Sequence, residues 1–204
     1  MNQKLKETIV QISTESISEE RKRILQPLIE YIKGKYYENK LINLNFICTH
    51  NSRRSHLSQI WAQTFAYYFD VKNVLCYSGG TEATAMFPKV VETLQKQGFE
   101  ILSLSDNANS VYAVKYAENQ HPIICFSKKY DDDFNPKSDF AAILTCDAAD
   151  ENCPIVFGAE ARFPIKYNDP KKSDGSPEMD EIYFNRSLEI ASEMKYIFSQ
   201  IQSK

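Results

Sequence analysis

A cysteine that is separated from an arginine by five residues forms the pattern in this chain that points most directly to chemistry. The segment from Asn45 to Ser55 places Cys48 after an apolar stretch and before a short polar loop that closes with Arg54 and Ser55. Successive backbone N–H groups of such a loop can point at one anion, and a following helix N-terminus adds positive potential. The same donors and the Arg54 guanidinium favour the thiolate of Cys48. The pattern therefore predicts a nucleophile inside an oxyanion-binding loop.

We expect the whole loop to contribute to anion binding, and Arg54 to contact two oxygens of a tetrahedral anion at once. The predicted oxyanion-binding residues are Thr49, His50, Asn51, Ser52, Arg53, Arg54 and Ser55. A buried cysteine after a strand is more often a structural residue than a reactive one. The apolar stretch before Cys48 and the amphipathic run after the loop favour the functional interpretation here.

Length and charge restrict the class of protein. The 204 residues suit one α/β domain, and a net charge of −3 argues against a nucleic-acid or anionic-membrane surface. No apolar stretch reaches the length of a membrane span and the amino terminus lacks a signal-peptide core, so we expect a cytoplasmic protein. The five cysteines are odd in number and predict free thiols rather than a disulfide framework.

Short apolar stretches alternate with longer helical patterns after residue 40. The predicted strands are residues 44–48, 73–77, 140–145 and 161–166, and the predicted helices are residues 54–69, 87–98 and 179–201. This alternation favours a parallel sheet with helices on both faces and a ligand at the carboxyl ends of the strands, where Cys48 stands.

Two segments stand apart from this alternation. Residues 1–40 are charged and helix-prone, and Pro27 is expected to kink or divide the helix there. We predict that they form a helical extension on an α/β domain of residues 41–204. Near residues 110–128, two alternating stretches around a turn predict an inserted β-hairpin.

Two later segments can complete a catalytic site. Asp169 lies between Asn168 and Pro170 after the last predicted strand, where a carboxyl group can reach over the loop as a general acid. Cys146 and Cys153 follow the third predicted strand. On a helix they would lie about 10.5 Å apart along its axis, which makes them a poor structural disulfide but a candidate redox switch. Their segment has no histidine and no Cys-x-x-Cys pair, so we predict no metal site.

The loop resembles that of the low-molecular-weight phosphotyrosine phosphatase superfamily, which has the form Cys-(x)5-Arg-Ser with an internal Asn-Ser pair. Asn51 and Ser52 occupy those two places here. The resemblance covers roughly residues 42–200 apart from the hairpin. It implies an α/β three-layer sandwich around a central four-stranded parallel sheet.

Further residues resemble the thioredoxin-coupled arsenate reductases of that superfamily. The matching positions, in order, are Cys146, Cys153, Pro154, Asp169 and Pro170. In the mechanism that this resemblance implies, Cys48 attacks arsenate and Asp169 helps water to leave. Cys146 then attacks the Cys48 adduct and releases arsenite, and Cys153 attacks the resulting disulfide. The Cys146–Cys153 disulfide passes to thioredoxin or a similar thiol reductant. No cofactor is implied, and no metal is expected because Gln59 stands where some members have a glutamate that helps to hold potassium.

Two loop residues depart from the family pattern. His50 replaces the small residue, commonly glycine, that members prefer, so the loop backbone is expected to differ at that position. Arg53 stands where many members have a cysteine. It either adds positive charge beside the anion or is an exposed residue at the helix start, and the second interpretation is favoured.

Two other functions are consistent with the sequence. A phosphatase of the same fold would hydrolyse phosphate monoesters through a Cys48 phosphoenzyme, with Asp169 as the acid. Phosphotyrosine-specific members often place aromatic residues after Asp-Pro, whereas Lys171 and Lys172 follow here and favour a highly charged anion. The third function, which His50 keeps open, is a catalytically weak phosphoanion-binding or redox-sensing module.

Overall fold

The computed structural model describes residues 1–152 and 155–202, so Cys153 and Pro154 lie outside the described residues. Its elements, in chain order, are α1 (Gln3–Gln11), α2 (Glu19–Tyr37), β1 (Ile42–Cys48), α3 (Arg54–Tyr68), β2 (Val74–Gly80), α4 (Pro88–Lys96), β3 (Glu100–Ser103), β4 (Tyr112–Lys115), β5 (Ile123–Cys125), β6 (Phe140–Leu144), α5 (Asp147–Asn152), β7 (Ala159–Pro164), a 3-10 turn (Pro170–Ser173) and α6 (Met179–Ser199). None of these helices is long and apolar enough to cross a membrane.

The centre of the fold is a four-stranded sheet in the order β2-β1-β6-β7. All three pairings between neighbouring strands are parallel. The two central strands, β1 and β6, are buried along their whole length. Such continuous burial is typical of parallel strands with helices on both faces, because the crossover helices cover the sheet. The predicted α/β fold with a central parallel sheet is confirmed.

Alternate residues of the central strands face two separate cores. In β1, Leu44 and Phe46 belong to the larger core, which is shared with α3 and α6, whereas Ile47 belongs to a smaller one. That smaller core also contains Cys48 and Cys146. The carboxyl ends of β1 and β6 therefore bring two thiols into the same small core.

The inserted segment contains one more strand than the two predicted arms. β4 and β5 pair antiparallel, and β3 adds to the other edge of β4 to give a three-stranded sheet. The sequence does not show β3 clearly because most of its side chains are exposed, so the strand lacks an alternating pattern of buried residues.

The two N-terminal helices pack into the larger core through Leu5 and Ile9 of α1 and through apolar residues of α2. The second helix runs through Pro27 without ending there. Its first turn contacts the opposite end of the chain, because Arg21 Nε donates to Glu193 Oε1 over 2.6 Å. Arg21 also donates to the carbonyl oxygen of Lys166, just after β7.

Candidate active site

The loop between β1 and α3 contains one residue with a left-handed backbone. Asn51 has a φ of 44°, whereas His50 is not among the residues with positive φ. Asparagine tolerates this conformation better than most residues. His50 thus avoids the left-handed conformation that a histidine tolerates poorly, and Asn51 adopts it one residue later. Among the hydrogen bonds of the described residues, none uses the backbone N–H groups of residues 50–53 as donors. These four groups are available to an anion.

A short chain of hydrogen bonds leads to the thiol of Cys48. The Asn51 side-chain amide donates to Ser55 Oγ over 2.8 Å, and Ser55 Oγ lies 3.2 Å from Cys48 Sγ. Because the serine oxygen already accepts the amide proton, its own hydroxyl proton can point at the sulfur. The backbone N–H of Lys128 donates to Asn51 Oδ1 and fixes the orientation of the amide. These contacts fix the position of the Cys48 sulfur, on a residue that is only 4% exposed.

The predicted general acid meets the loop arginine. Arg54 donates from Nη2 to Asp169 Oδ2 over 2.7 Å and from Nη1 to the carbonyl oxygen of Tyr167 over 3.0 Å. The second oxygen of Asp169 accepts the N–H of Lys171. A shallow pocket at this point is lined by Cys48, His50, Ser52, Arg53, Arg54 and Asp169. The structure thus brings together the predicted nucleophile, the predicted anion-binding arginine and the predicted general acid, and Asp169 occupies a guanidinium nitrogen that an anion would need.

Cys146 lies immediately before α5 and beside the loop. Its sulfur is 3.5 Å from Thr49 Oγ1 and accepts the backbone N–H of Ala149 over 3.4 Å. The side chain is buried, with 3% exposure. The sulfur of Cys146 therefore contacts Thr49, the residue that follows Cys48 in the loop. Cys153, the other predicted relay cysteine, lies outside the described residues.

Arg53 is not the exposed helix-start residue that the sequence favours. Its side chain is 11% exposed and pairs with Asp174 over 2.5 Å. Its Nε donates to the hydroxyl of Tyr183, and its guanidinium lies over the ring of Phe87. These contacts occupy Nε and Nη2 of the guanidinium, so its main partners are protein groups.

His50 and Ser52 shape the mouth of the pocket. The His50 imidazole is 40% exposed and lies 3.6 Å from a carboxylate oxygen of Glu82. Its carbonyl oxygen accepts the hydroxyls of Thr84 and Ser127, which fixes the backbone at this position. The carbonyl oxygen of Ser52 accepts the N–H of Phe87. Neighbouring segments therefore hold the loop from several sides.

Two buried titratable residues support the loop and were not predicted. His56 in α3 is 0% exposed, and Lys128 in the insertion is 2% exposed. The Lys128 ammonium lies between the rings of Phe126 and Phe134 and donates to the carbonyl oxygen of Phe126. Burial lowers the pKa of Lys128 to about 8. The sequence carries no signal for the role of Lys128, since its contact with the loop depends on how the insertion folds back.

The burial of His56 predicts a loss of stability at acidic pH. Burial, and next the Lys128 ammonium, lower the pKa of His56 to about 3 from an ordinary value of 6.5. Below pH 6.5 the unfolded chain binds a proton that the folded protein excludes, so this contribution to stability falls as the pH falls towards 3. Between pH 7 and pH 5 the loss amounts to about 2 kcal/mol.

Urea denaturation of the wild type and of His56→Gln at both pH values measures this effect. The glutamine does not titrate, so the difference in unfolding free energy between the two proteins should change by about 2 kcal/mol between pH 7 and pH 5. Equal pH dependence in the two proteins would show that the His56 imidazole is protonated at pH 5 in the folded protein as it is in the unfolded chain.

Within the described parts of the chain, no group of three or more His, Cys, Asp or Glu side chains is placed to hold a metal ion.

Comparison with known proteins identifies similar sequences. The chain is 30% identical over 149 residues to an arsenate reductase of Bacillus subtilis, an alignment that covers 73% of this chain and 87% of the relative. It is also 30% identical over 141 residues to an arsenate reductase of Bacillus licheniformis, with 69% of this chain and 83% of the relative covered. No family model matches the chain.

Solved structures with the same fold are more distant in sequence. A low-molecular-weight phosphotyrosine phosphatase from Vibrio cholerae O395 superposes with a TM-score of 0.53 at 16% identity, over 79% of this chain and 97% of the other. A low-molecular-weight protein tyrosine phosphatase from T. tengcongensis gives a TM-score of 0.53 at 15% identity, over 78% of this chain and 99% of the other. At these identities the likeness concerns the fold, and it agrees with the sheet described above.

Proposed function

Because this chain belongs to the arsenate reductase family, we propose that it is an enzyme that reduces arsenate to arsenite with Cys48 as its nucleophile. The observation that carries the proposal is the contact between Thr49 and Cys146 at 3.5 Å. It places a second thiol beside the loop that holds the first. Hydrolysis of a phosphate ester has no use for this second thiol, whereas reduction of arsenate requires two electrons from a pair of thiols.

The first step binds arsenate in the loop and forms a bond to Cys48. The free N–H groups of residues 50–53 and the Arg54 guanidinium hold the oxygens of the anion, and the anion displaces Asp169 from Arg54. The Cys48 thiolate then attacks arsenic. The Asp169 carboxylate, once displaced from Arg54, takes up a proton from solvent. One As–O bond breaks, and the leaving hydroxyl takes that proton from Asp169 and departs as water. Arsenic remains As(V) in this adduct.

The second step transfers the electrons. The Cys146 thiolate attacks Cys48 Sγ, so that an S–S bond forms and the S–As bond breaks. The electron pair of that bond stays on arsenic, which leaves as arsenite, As(III). The Thr49 hydroxyl and the Ala149 N–H both contact the Cys146 sulfur and hold it beside the loop.

The last steps restore the enzyme. We propose that Cys153 attacks Cys146, which releases the Cys48 thiolate and leaves a Cys146–Cys153 disulfide. Thioredoxin or a similar dithiol then reduces that disulfide by ordinary thiol exchange. This requirement for a thiol donor suits a protein that works in a reducing compartment such as the cytoplasm.

Phosphate ester hydrolysis is the alternative function of the same site. Cys48, Arg54 and Asp169 would serve it equally well. The residues that line the pocket include no phenyl or phenol ring that would stack on a tyrosine substrate. Lys171 and Lys172 follow Asp169 and are exposed. A small inorganic anion therefore suits this entrance better than a phosphotyrosine side chain.

Oxidation of reduced thioredoxin by the purified protein, with and without arsenate, tests the proposal. We expect thioredoxin oxidation that depends on arsenate and yields one arsenite for each dithiol consumed. Hydrolysis of p-nitrophenyl phosphate is measured in parallel. Ester hydrolysis without arsenate-dependent oxidation of thioredoxin would overturn the reductase function in favour of the phosphatase function. The absence of both activities would favour an anion-binding module.

A further inference from the structure

Two consecutive arginines hold the two ends of the segment that carries the acid. Residues 169–174, here called the acid turn, begin at Asp169 and end at Asp174. Arg54 binds the carboxylate of Asp169 over 2.7 Å, and Arg53 binds the carboxylate of Asp174 over 2.5 Å. The first contact belongs to the proposed catalytic site. The second has no role in the steps described above.

The contact of Arg53 is part of a closed group of three side chains. Arg53 donates from Nη2 to Asp174 Oδ2 and from Nε to the Tyr183 hydroxyl, and that hydroxyl donates to Asp174 Oδ1; each distance is 2.5 Å. Tyr183 is fully buried in α6, and the Asp174 side chain is 26% exposed. Charge-assisted hydrogen bonds with this geometry restrict all three groups. The end of the acid turn is thereby tied to the anion loop and to a core helix.

Packing fixes the guanidinium of Arg53 as well. Its Cζ atom lies 4.0 Å from the centre of the Phe87 ring, and the rings of Phe87 and Tyr183 are 5.7 Å apart. The backbone N–H of Phe87 donates to the carbonyl oxygen of Ser52. The ring that supports Arg53 is thus held to the loop itself.

Internal hydrogen bonds make the acid turn short and ordered. Asp169 Oδ1 accepts the N–H of Lys171, Ser173 Oγ donates to the carbonyl oxygen of Pro170, and the N–H of Asp174 donates to the carbonyl oxygen of Lys171. When an anion binds to Arg54, the Asp169 side chain loses its ion pair with that arginine. The contact at Asp174 remains, so the backbone of the turn keeps its position.

We propose that Arg53 is a positioning residue which, with Asp174 and Tyr183, holds the acid turn while Asp169 moves from Arg54 to the leaving oxygen. The inference rests on the proposed function, because it requires a step in which Asp169 donates a proton. In that step Cys48 Sγ bonds to arsenic or phosphorus, the bond to the leaving oxygen breaks, and the Asp169 proton passes to that oxygen. Correct placement of a general acid contributes about 100- to 10,000-fold to a rate.

The test compares binding with turnover in Arg53→Met, which keeps a side chain of similar length over Phe87 but removes both hydrogen bonds. Phosphate affinity is measured by calorimetry, and arsenite formation is measured in a single turnover of prereduced protein, so that thioredoxin does not limit the rate. We expect phosphate affinity within about twofold of wild type and a rate reduced by at least about tenfold. Asp180→Asn, a change at the start of α6 that removes contacts with Lys89 and Lys96 instead, is the control and should alter neither.

Two phosphate monoesters add a readout that a general structural defect would not give. Phenyl phosphate has a more basic leaving group than p-nitrophenyl phosphate and depends more on the acid. If wild type hydrolyses both, Arg53→Met should slow phenyl phosphate more than p-nitrophenyl phosphate. Tyr183→Phe keeps the Arg53–Asp174 pair and should cause a smaller loss, of about two- to threefold.

The outcomes separate this inference from the proposed function. A wild type that turns over neither arsenate nor phosphate esters removes the proposed function and the acid step with it. An active wild type with an unchanged Arg53→Met rate overturns the inference alone. Equal losses of phosphate affinity and rate in Arg53→Met would show that the contact only stabilises the loop. If that variant does not fold, Asp174→Asn removes the same ion pair and is judged by the same criteria.

Discussion

Replacement of Cys48 by serine is expected to abolish turnover and to leave anion binding intact. A serine hydroxyl is not ionised near neutral pH, so the variant lacks the nucleophile that the loop stabilises. The backbone N–H groups of residues 50–53 and the Arg54 guanidinium remain in place. We expect the rate of arsenite formation to fall by at least about a thousandfold. Phosphate affinity, measured by calorimetry, should stay within about threefold of the wild-type value, because the same donors bind the anion.

Cys76→Ala is the matched control for this experiment. Cys76 is 7% exposed in β2, and burial raises the pKa of its thiol. Its backbone hydrogen-bonds to the side chains of Gln59 and Gln63, which lie outside the anion loop. The alanine variant should therefore retain turnover within about twofold. Turnover that survives in Cys48→Ser would place the nucleophile elsewhere, and loss of activity in both variants would point to a shared structural defect.

The central sheet is predictable from the sequence because short, largely apolar stretches alternate with helical patterns, and the stretch that forms β6 is apolar throughout, as two-sided burial requires. The four predicted strands differ from the observed ones by a few residues at their ends; β2, for example, continues to Gly80. β3 is not predictable because its residues are mostly exposed. It lies at the edge of the smaller sheet with Leu102 63% exposed, so no core imposes a pattern on its residues.

The candidate site also has a part that the sequence predicts and a part that it does not. Cys48, Cys146 and Asp169 each follow a strand of one parallel sheet, and the carboxyl ends of such strands meet at one edge. Their proximity therefore follows from the order of the elements. The surroundings of Arg53 do not, because Tyr183 and Asp174 are more than a hundred positions away and no periodicity links them to the loop. An arginine at a helix start is exposed unless such partners happen to fold over it.

The support of the site by the ends of the chain is also hidden from the sequence. Tyr167 supplies its carbonyl oxygen to Arg54 and donates its hydroxyl to Glu193 of α6. Glu193 in turn binds Arg21 of α2. The helical segment before residue 40 thus contacts residues that position Arg54, although its own sequence contains no predicted catalytic residue. Only the packed structure reveals this connection.

Single substitutions of Cys146 and Cys153, the two cysteines of the proposed relay, are expected to stop the reaction at different points. In Cys146→Ser the Cys48 adduct can form, but no thiol attacks Cys48 Sγ, so arsenic stays As(V). In Cys153→Ser the attack by Cys146 releases arsenite once and leaves a Cys48–Cys146 disulfide that nothing in the protein resolves. Neither substitution removes Cys48, Arg54 or Asp169. Hydrolysis of p-nitrophenyl phosphate, where wild type performs it, should therefore persist in both variants within about threefold.

The amount of arsenite released per protein molecule distinguishes these stages. With thioredoxin present, wild type should release many equivalents, Cys153→Ser about one, and Cys146→Ser none, because each variant lacks the thiol for the next exchange. Mass spectrometry of digested Cys153→Ser protein should find Cys48 joined to Cys146, as the proposed second step requires. Repeated turnover in Cys153→Ser would mean that the external thiol attacks the Cys48–Cys146 disulfide directly. Repeated turnover in Cys146→Ser would mean that it attacks the arsenic adduct itself, and Cys146 would then be a buried neighbour of the loop and no part of the relay.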